Sequence, residues 1–175
     1  MKTLILNGSP RKKGETINLI RAYRDGLLGE VMELNAFALN IPPCTDCRAC
    51  KTASRCVRTD GMAEVESAIE QCDRIVIASP VWMGSLPAPL LALGSRLQWR
   101  WYVRDTLPEK KGAILLTAGG SGDVAGARRS AELILRFAGV KGEILYAGSL
   151  YTDVYPAADD REALFAAQKI AEEQN

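Results

Sequence analysis

At 175 residues the chain is long enough for one ordinary domain with a full core, and it is read as a single domain over residues 1–175. Its 22 Lys and Arg against 21 Asp and Glu leave a formal charge of +1, which argues against a nucleic-acid surface and against an acidic, charge-steered carrier. The absence of histidine removes Ser-His-Asp and Cys-His catalysis, the HExxH metal site and any His-ligated zinc, so chemistry falls to carboxylates, thiols, hydroxyls or a bound cofactor.

The apolar run Leu4-Ile5-Leu6 reads as a short buried strand that breaks into Asn7-Gly8-Ser9-Pro10-Arg11-Lys12-Lys13-Gly14-Glu15-Thr16. Ile17, Ile20 and Leu27 then restart at helical spacing. A polar loop that delivers free N–H groups to a helix N-terminus is a ready anion site, and Arg11, Lys12 and Lys13 add full charges. The nucleotide-triphosphate loop does not fit, because Glu15 stands where its lysine would be; G-x-G-x-x-G is absent too. A monophosphate held by Ser9, Arg11 and Thr16 fits better, and an ordinary strand-to-helix turn with solvated charges remains the alternative.

Further strands are expected at residues 31–37, which partly alternate, and at the continuous runs 75–78, 113–116 and 144–147. Continuous runs imply burial on both faces, whereas alternation suits an edge. Helical faces are marked by Met62, Val65, Ile69 and Cys72, by Leu90, Leu93 and Leu97, by Val124, Ala127, Ala131 and Ile134 closed by Gly139, and by Leu164, Ala167 and Ala171. Alternation of strands and helices gives an α/β fold, a doubly wound five-stranded parallel sheet in order 2-1-3-4-5 with helices on both faces. No apolar run reaches membrane-spanning length, and residues 1–7 are too soon interrupted for a secretory segment. The expectation is a soluble, cytoplasmic protein.

In such a sheet, ligands bind outside the strands' carboxyl ends at the switch point. The phosphate loop lies there. Ser79-Pro80-Val81-Trp82-Met83-Gly84-Ser85 offers backbone donors, a flat aromatic and a polarizable sulfur for a planar ring. Thr117-Ala118-Gly119-Gly120-Ser121-Gly122-Asp123 permits close backbone approach, with Asp123 as a helix N-cap. Flavin mononucleotide is the economical occupant of all three. The candidate contacts are Ser9, Arg11, Lys13 and Thr16 for the phosphate, and Pro80, Val81, Trp82, Met83, Gly84, Ala118, Gly119, Gly120 and Asp123 around the ring.

The motifs Asn7-Gly8-Ser9-Pro10-Arg11, Ala78-Ser79-Pro80-Val81-Trp82 and Thr117-Ala118-Gly119-Gly120 resemble the flavin loops of the flavodoxin-like NAD(P)H-dependent FMN reductases. Cys44-Thr45-Asp46-Cys47-Arg48-Ala49-Cys50, with Cys56, is similar to the compact cysteine motif of that family's iron–sulfur flavoprotein branch. The resemblance implies bound FMN, reduction by NADH or NADPH, and a homodimer with flavin near the subunit interface. Trp82 stands where a tyrosine is commoner, and Asp46 where the branch often has glycine.

The spacing C-x2-C-x2-C-x5-C suits a 4Fe–4S cluster better than zinc, and its place after strand 2 would let the thiols face the cofactor. Free thiols or a labile disulfide are the alternative. Cys72 reads as core, and the Trp99-Arg100-Trp101-Tyr102 group as a subunit interface. The leading function is an FMN-dependent oxidoreductase that takes hydride from NAD(P)H and passes electrons to a flavin, quinone or other acceptor, with no catalytic side chain of its own. A non-enzymatic electron carrier, a receiver-like signalling domain and a thiol or zinc module are the other classes. Near-neutral charge argues against the carrier, and Asn7-Gly8 stand where a receiver would need acids.

Overall fold

The computed structural model describes residues 1–103, 107–120 and 122–175. In chain order its elements are β1 (Lys2–Asn7), α1 (Glu15–Asp25), β2 (Glu30–Asn35), α2 (Ala36–Leu39), α3 (Cys50–Ala53), α4 (Met62–Gln71), β3 (Arg74–Pro80) and α5 (Ala88–Ser95). A 3-10 turn (Arg96–Gln98) follows, then α6 (Trp99–Val103), β4 (Lys110–Ala118), α7 (Ala125–Phe137), β5 (Val140–Leu150) and α8 (Arg161–Glu173). All strand pairs are parallel and the order is β2-β1-β3-β4-β5, the doubly wound arrangement expected.

Alternate residues of the central strands feed two cores. Leu4, Leu6, Ile75, Ile77, Ile114 and Leu116 pack with α4, α5 and α7. Ile5, Val76, Ala78, Ala113 and Leu115 pack with α1 and α8 on the other face. Burial on both sides is why these runs carry no polar alternation. Each of the Leu, Ile and Val side chains among them contributes roughly 1.5–3 kcal/mol of burial free energy.

Three expectations need correction. Strand β2 stops at Asn35 because its side-chain carbonyl accepts from the N–H groups of Phe37 and Ala38 and starts α2. Helix α1 closes at Gly26, so Leu27 lies beyond it and Leu19 and Tyr23 supply the buried face instead. The run 144–147 takes the far edge that the order 2-1-3-4-5 gives it, but Ile144, Leu145 and Tyr146 are only half-buried there, so their continuity does not mean burial on both faces. Among the described residues no helix is long and apolar enough to cross a membrane.

At the lower end of the sheet, the fully buried Arg74 donates to the Ala171 and Leu28 carbonyls and to Asn175, tying the C-terminus under the strands. Gln174 accepts from Tyr23, whose hydroxyl burial pushes up to about 12. Cys72 is core, as expected, and burial pushes its thiol from 9.0 up to about 11. The folded state therefore favours the neutral thiol, while the unfolded chain ionises first as pH rises. The stability this group contributes is fully present below about pH 9 and is lost between about 9 and 11. Urea unfolding across that window should show Cys72→Ala losing less stability per pH unit than the parent. Equal slopes would contradict the burial argument.

Candidate functional site

The loop after β1 is shaped by two asparagines. Asn7 Oδ1 accepts from the Ser9 N–H at 2.8 Å, and Asn35 Nδ2 donates to the Ser9 carbonyl at 2.7 Å. The Arg11 N–H turns back onto Ser9 Oγ at 3.3 Å. The loop thus consumes some of its own donors, and the anion site narrows to the Glu15 and Thr16 N–H groups at the start of α1, since the Ile17 N–H already donates to the Gly14 carbonyl at 3.1 Å. Gly14 is the N-cap there and gives no side-chain cap. Gly8 is required by close approach, since a Cβ would lie 2.6 Å from Ser79 Oγ and 2.9 Å from Leu90.

Thr16 is buried, and its Oγ1 lies 2.8 Å from Thr117 Oγ1 at the end of β4. Two hydroxyls in one hydrogen bond leave one proton over. When Thr117 donates to Thr16, the Thr16 proton is free for a ligand oxygen.

The rim loops are laced in series. The Gly8 N–H donates to the Ala78 carbonyl, Val81 to Thr117, Thr152 to Ala118 and Asp153 to Gly119. Trp82 and Ser85 exchange both backbone hydrogen bonds across Met83 and Gly84, which have φ of 53° and 72°. Positive φ at both centres makes this a type I′ turn, natural for Gly84 and uncommon for Met83. Met83 is fully exposed, and Trp82 meets Phe37 edge-on with ring centroids 5.9 Å apart.

These loops enclose a cavity of about 440 Å³. Of the candidate contacts, Ser9, Arg11, Thr16, Pro80, Val81, Trp82, Met83, Gly119 and Gly120 line it. Lys13, Gly84, Ala118 and Asp123 do not. Lys13 is exposed, Gly84 serves the turn, and Ala118 is buried at the strand end. Asp123 accepts from the Ala125 N–H at 3.2 Å but sits one residue before the N-cap, which is Val124. Ser121 lies outside the described residues. Glu15, Thr117, Thr152 and Asp153 also line the cavity and were not singled out beforehand. The carboxyl end of β5 was the signal for the last two, because every strand in a parallel sheet delivers its loop to the same rim.

The four cysteines of the 44–56 segment line one small recess with Ser95, Arg96, Trp99 and Tyr102. Its described lining shares no residue with the rim cavity, so within one chain the thiols have a pocket of their own rather than facing the larger cavity. The segment is drawn there by the far end of α5: the Cys44 N–H donates to Ser95 Oγ at 3.0 Å. Cys44 and Cys47 are exposed, Cys50 and Cys56 half-buried, and all are free thiols. Asp46 has φ of 50°, a left-handed position that glycine takes freely and Asp tolerates, which accommodates the departure at this residue. Two sulfurs already accept hydrogen bonds: Cys44 Sγ from the Asp46 N–H and Cys56 Sγ from Arg96 Nε, both at 3.4 Å. The guanidinium of Arg96 also holds the Asp60 carboxyl below the usual carboxylate range. The open space is about 30 Å³, and among the described residues no three His, Cys, Asp or Glu side chains are grouped to hold a metal ion. The donor chemistry suits a soft metal or cluster, while the loop must open to admit one.

The aromatic group after α5 divides. Trp99 is buried, with its Nε1 donating to Glu66 and the Arg100 guanidinium over its ring, so it belongs to the interior. Trp101 and Tyr102 are exposed, Tyr102 beneath Lys51 and Trp101 beside Phe137.

The model of the NADPH-dependent FMN reductase family matches residues 1–148. The chain belongs to that family. An iron–sulfur flavoprotein of Methanosarcina thermophila is 32% identical over 122 residues, covering 68% of this chain and 64% of that protein. Another, from Methanocaldococcus jannaschii, is 31% identical over 99 residues, 55% of this chain and 51% of its own length. The chain thus spans about half to just under two thirds of these relatives. Among solved structures, an NAD(P)H:quinone oxidoreductase from Methanothermobacter marburgensis superposes with a TM-score of 0.79 at 17% identity, covering 100% of this chain and 99% of that one. At that identity the likeness establishes the fold.

The hydroxyl pair is the most testable part of the site. Thr117→Val keeps the shape and removes one hydroxyl, leaving Thr16 Oγ1 buried and unpaired at a cost of about 1–3 kcal/mol. Denaturant unfolding of the ligand-free protein should report that loss. An unchanged midpoint would mean that the pair does not hold α1 to β4.

Proposed function

We propose that the protein is an FMN-dependent oxidoreductase that takes electrons from NAD(P)H and delivers them to a small acceptor such as a flavin or quinone. The observation that carries this reading is the convergence of the loops after β1, β3, β4 and β5 on one cavity of about 440 Å³, in a member of this reductase family. The cavity is within the usual range for cofactor sites. Arg11 and the first turn of α1 supply the positive end for a single phosphate, and the Thr16 hydroxyl donates a hydrogen bond to it. Pro80, Val81, Trp82 and Met83 offer an apolar and aromatic wall for the ring plane, and Gly119 and Gly120 let backbone approach its polar edge. FMN, when bound there, would supply the hydride-accepting and electron-releasing chemistry. The chain's own task is to bind, orient and shield, which fits a sequence without histidine.

Cys44, Cys47, Cys50 and Cys56 are proposed as ligands of a 4Fe–4S cluster. Their shared recess, the N–H donors on two sulfurs and the names of the two curated relatives support this. Such a cluster would carry single electrons outward. A homodimer is proposed as the working unit, with exposed Trp101 the strongest remaining interface residue. Light scattering that gives a monomer at full flavin occupancy refutes it.

FMN titration of the parent and Arg11→Ala tests the main reading. Losing one charge-assisted phosphate contact should weaken binding about ten- to a hundredfold, or roughly 1.5–3 kcal/mol. Equal affinities would remove the phosphate from this loop. For the cluster, anaerobic iron and sulfide content should fall sharply in Cys47→Ser. A parent that takes up neither element leaves only thiols.

A further inference from the structure

A second cavity, of about 690 Å³, lies beside the phosphate loop between α1 and the end of β2 with α2. Pro10 and Arg11 line both this space and the rim cavity. The rings of Trp82, from the rim, and Phe37, from the second cavity, meet edge-on at 5.9 Å. One loop turn and one pair of rings thus separate the two. Ile17 and Ile20 give the second cavity an apolar floor, and Phe37 gives it an aromatic face. Arg11, Lys12, Arg21 and Arg24 outnumber Asp25 and Glu33 there and leave a surplus of two positive charges. Glu33 is already matched, since it accepts from Asn7 Nδ2 at 2.9 Å and pairs with Arg24 at 3.4 Å. Among the described residues, the side chains of Lys12 and Arg21 enter no ion pair or hydrogen bond.

We propose that this cavity takes the 2′-phosphoadenosine half of NADPH, with Arg21 and Lys12 reading the phosphate that NADH lacks. The inference rests on the oxidoreductase reading above and names the donor it uses. A nicotinamide that reaches a flavin ring beside Trp82 leaves the rest of its dinucleotide to run out over the wall of the rim cavity. Past Pro10 and Phe37 that wall gives onto an apolar, aromatic and cationic space, the surroundings a phosphorylated purine nucleoside requires. Arg11 is assigned to the flavin phosphate, so discrimination falls to the other two cations. The guanidinium of Arg21 matches two phosphate oxygens with a planar fork, and the ammonium of Lys12 adds a point charge from the loop. Both are exposed, so added salt narrows the preference.

The experiment is a calorimetric titration of the FMN-loaded protein with adenosine 2′,5′-bisphosphate and with adenosine 5′-monophosphate, for the parent and Arg21→Ala. Loaded flavin keeps either nucleotide off the flavin's own phosphate site, and flavin absorbance reports its occupancy. The parent should bind the bisphosphate more tightly than the monophosphate. Arg21→Ala should weaken the bisphosphate about tenfold, the low end for a charge-assisted contact because solvent reaches it, and leave the monophosphate and FMN occupancy unchanged. In steady-state assays of the same proteins the KM for NADPH should rise while the KM for NADH and both kcat values hold. Equal affinity of the parent for the two nucleotides, binding of neither, or an Arg21→Ala variant that loses both alike or loses nothing overturns the inference and leaves the flavin reading standing. A parent that takes up no FMN overturns the two together.

Discussion

The short hydrogen bond between Thr16 and Thr117 fixes the start of α1, which follows β1, to the end of β4, with β3 lying between the two strands. Everything at the rim depends on that fixation. A parallel sheet sends each strand's carboxyl end to one edge, but the edge becomes a site only if its loops hold a common level. Here each loop borrows a hydrogen bond from the next: Gly8 from Ala78, Val81 from Thr117, Thr152 from Ala118. The ladder of the sheet is thus prolonged past its last regular residues. The helix N-terminus is held where its free N–H groups and Arg11 face the same cavity as Trp82 and Gly119. This is preorganisation in the ordinary sense, since little ordering is left for the ligand to impose.

The cysteine recess obeys a different rule. It is assembled from a long segment after an edge strand, and no sheet ladder holds it. Its order comes from side chains: Ser95 takes the Cys44 N–H, Arg96 joins Pro42, Cys56 and Asp60, and Arg48 pairs with Asp46 at the surface. The first two anchors sit at the end of α5. The exposed Arg48 pair contributes little, because solvent screens it.

Much of this was legible in the sequence, for identifiable reasons. Continuous apolar runs and glycine-bearing breaks located the strands, and strand order followed from topology rules rather than from propensity. The edge position of β5 followed from the strand order, but its half-burial did not, because Ile144, Leu145 and Tyr146 form a continuous apolar run like an interior strand. Rim residues with a loop signature, such as Ser9, Arg11 and Trp82, were found, whereas Thr152 and Asp153 carry no glycine or basic signature. Lys13 and Asp123 do not line the cavity, because charge beside a motif does not say which way a side chain leaves the backbone. Arg96 was invisible. Its partner Asp60 is 36 residues away, and only the folded chain brings the two together.

The central claim is that the rim cavity is a functioning FMN site, and its most direct test is one anaerobic optical titration. Ligand-free protein is titrated with FMN, and the saturated complex is then titrated with NADPH while the flavin absorption is followed. The account expects one FMN per chain and bleaching of the bound flavin by NADPH. Failure to take up FMN, or a bound flavin that neither NADPH nor NADH reduces, would contradict it.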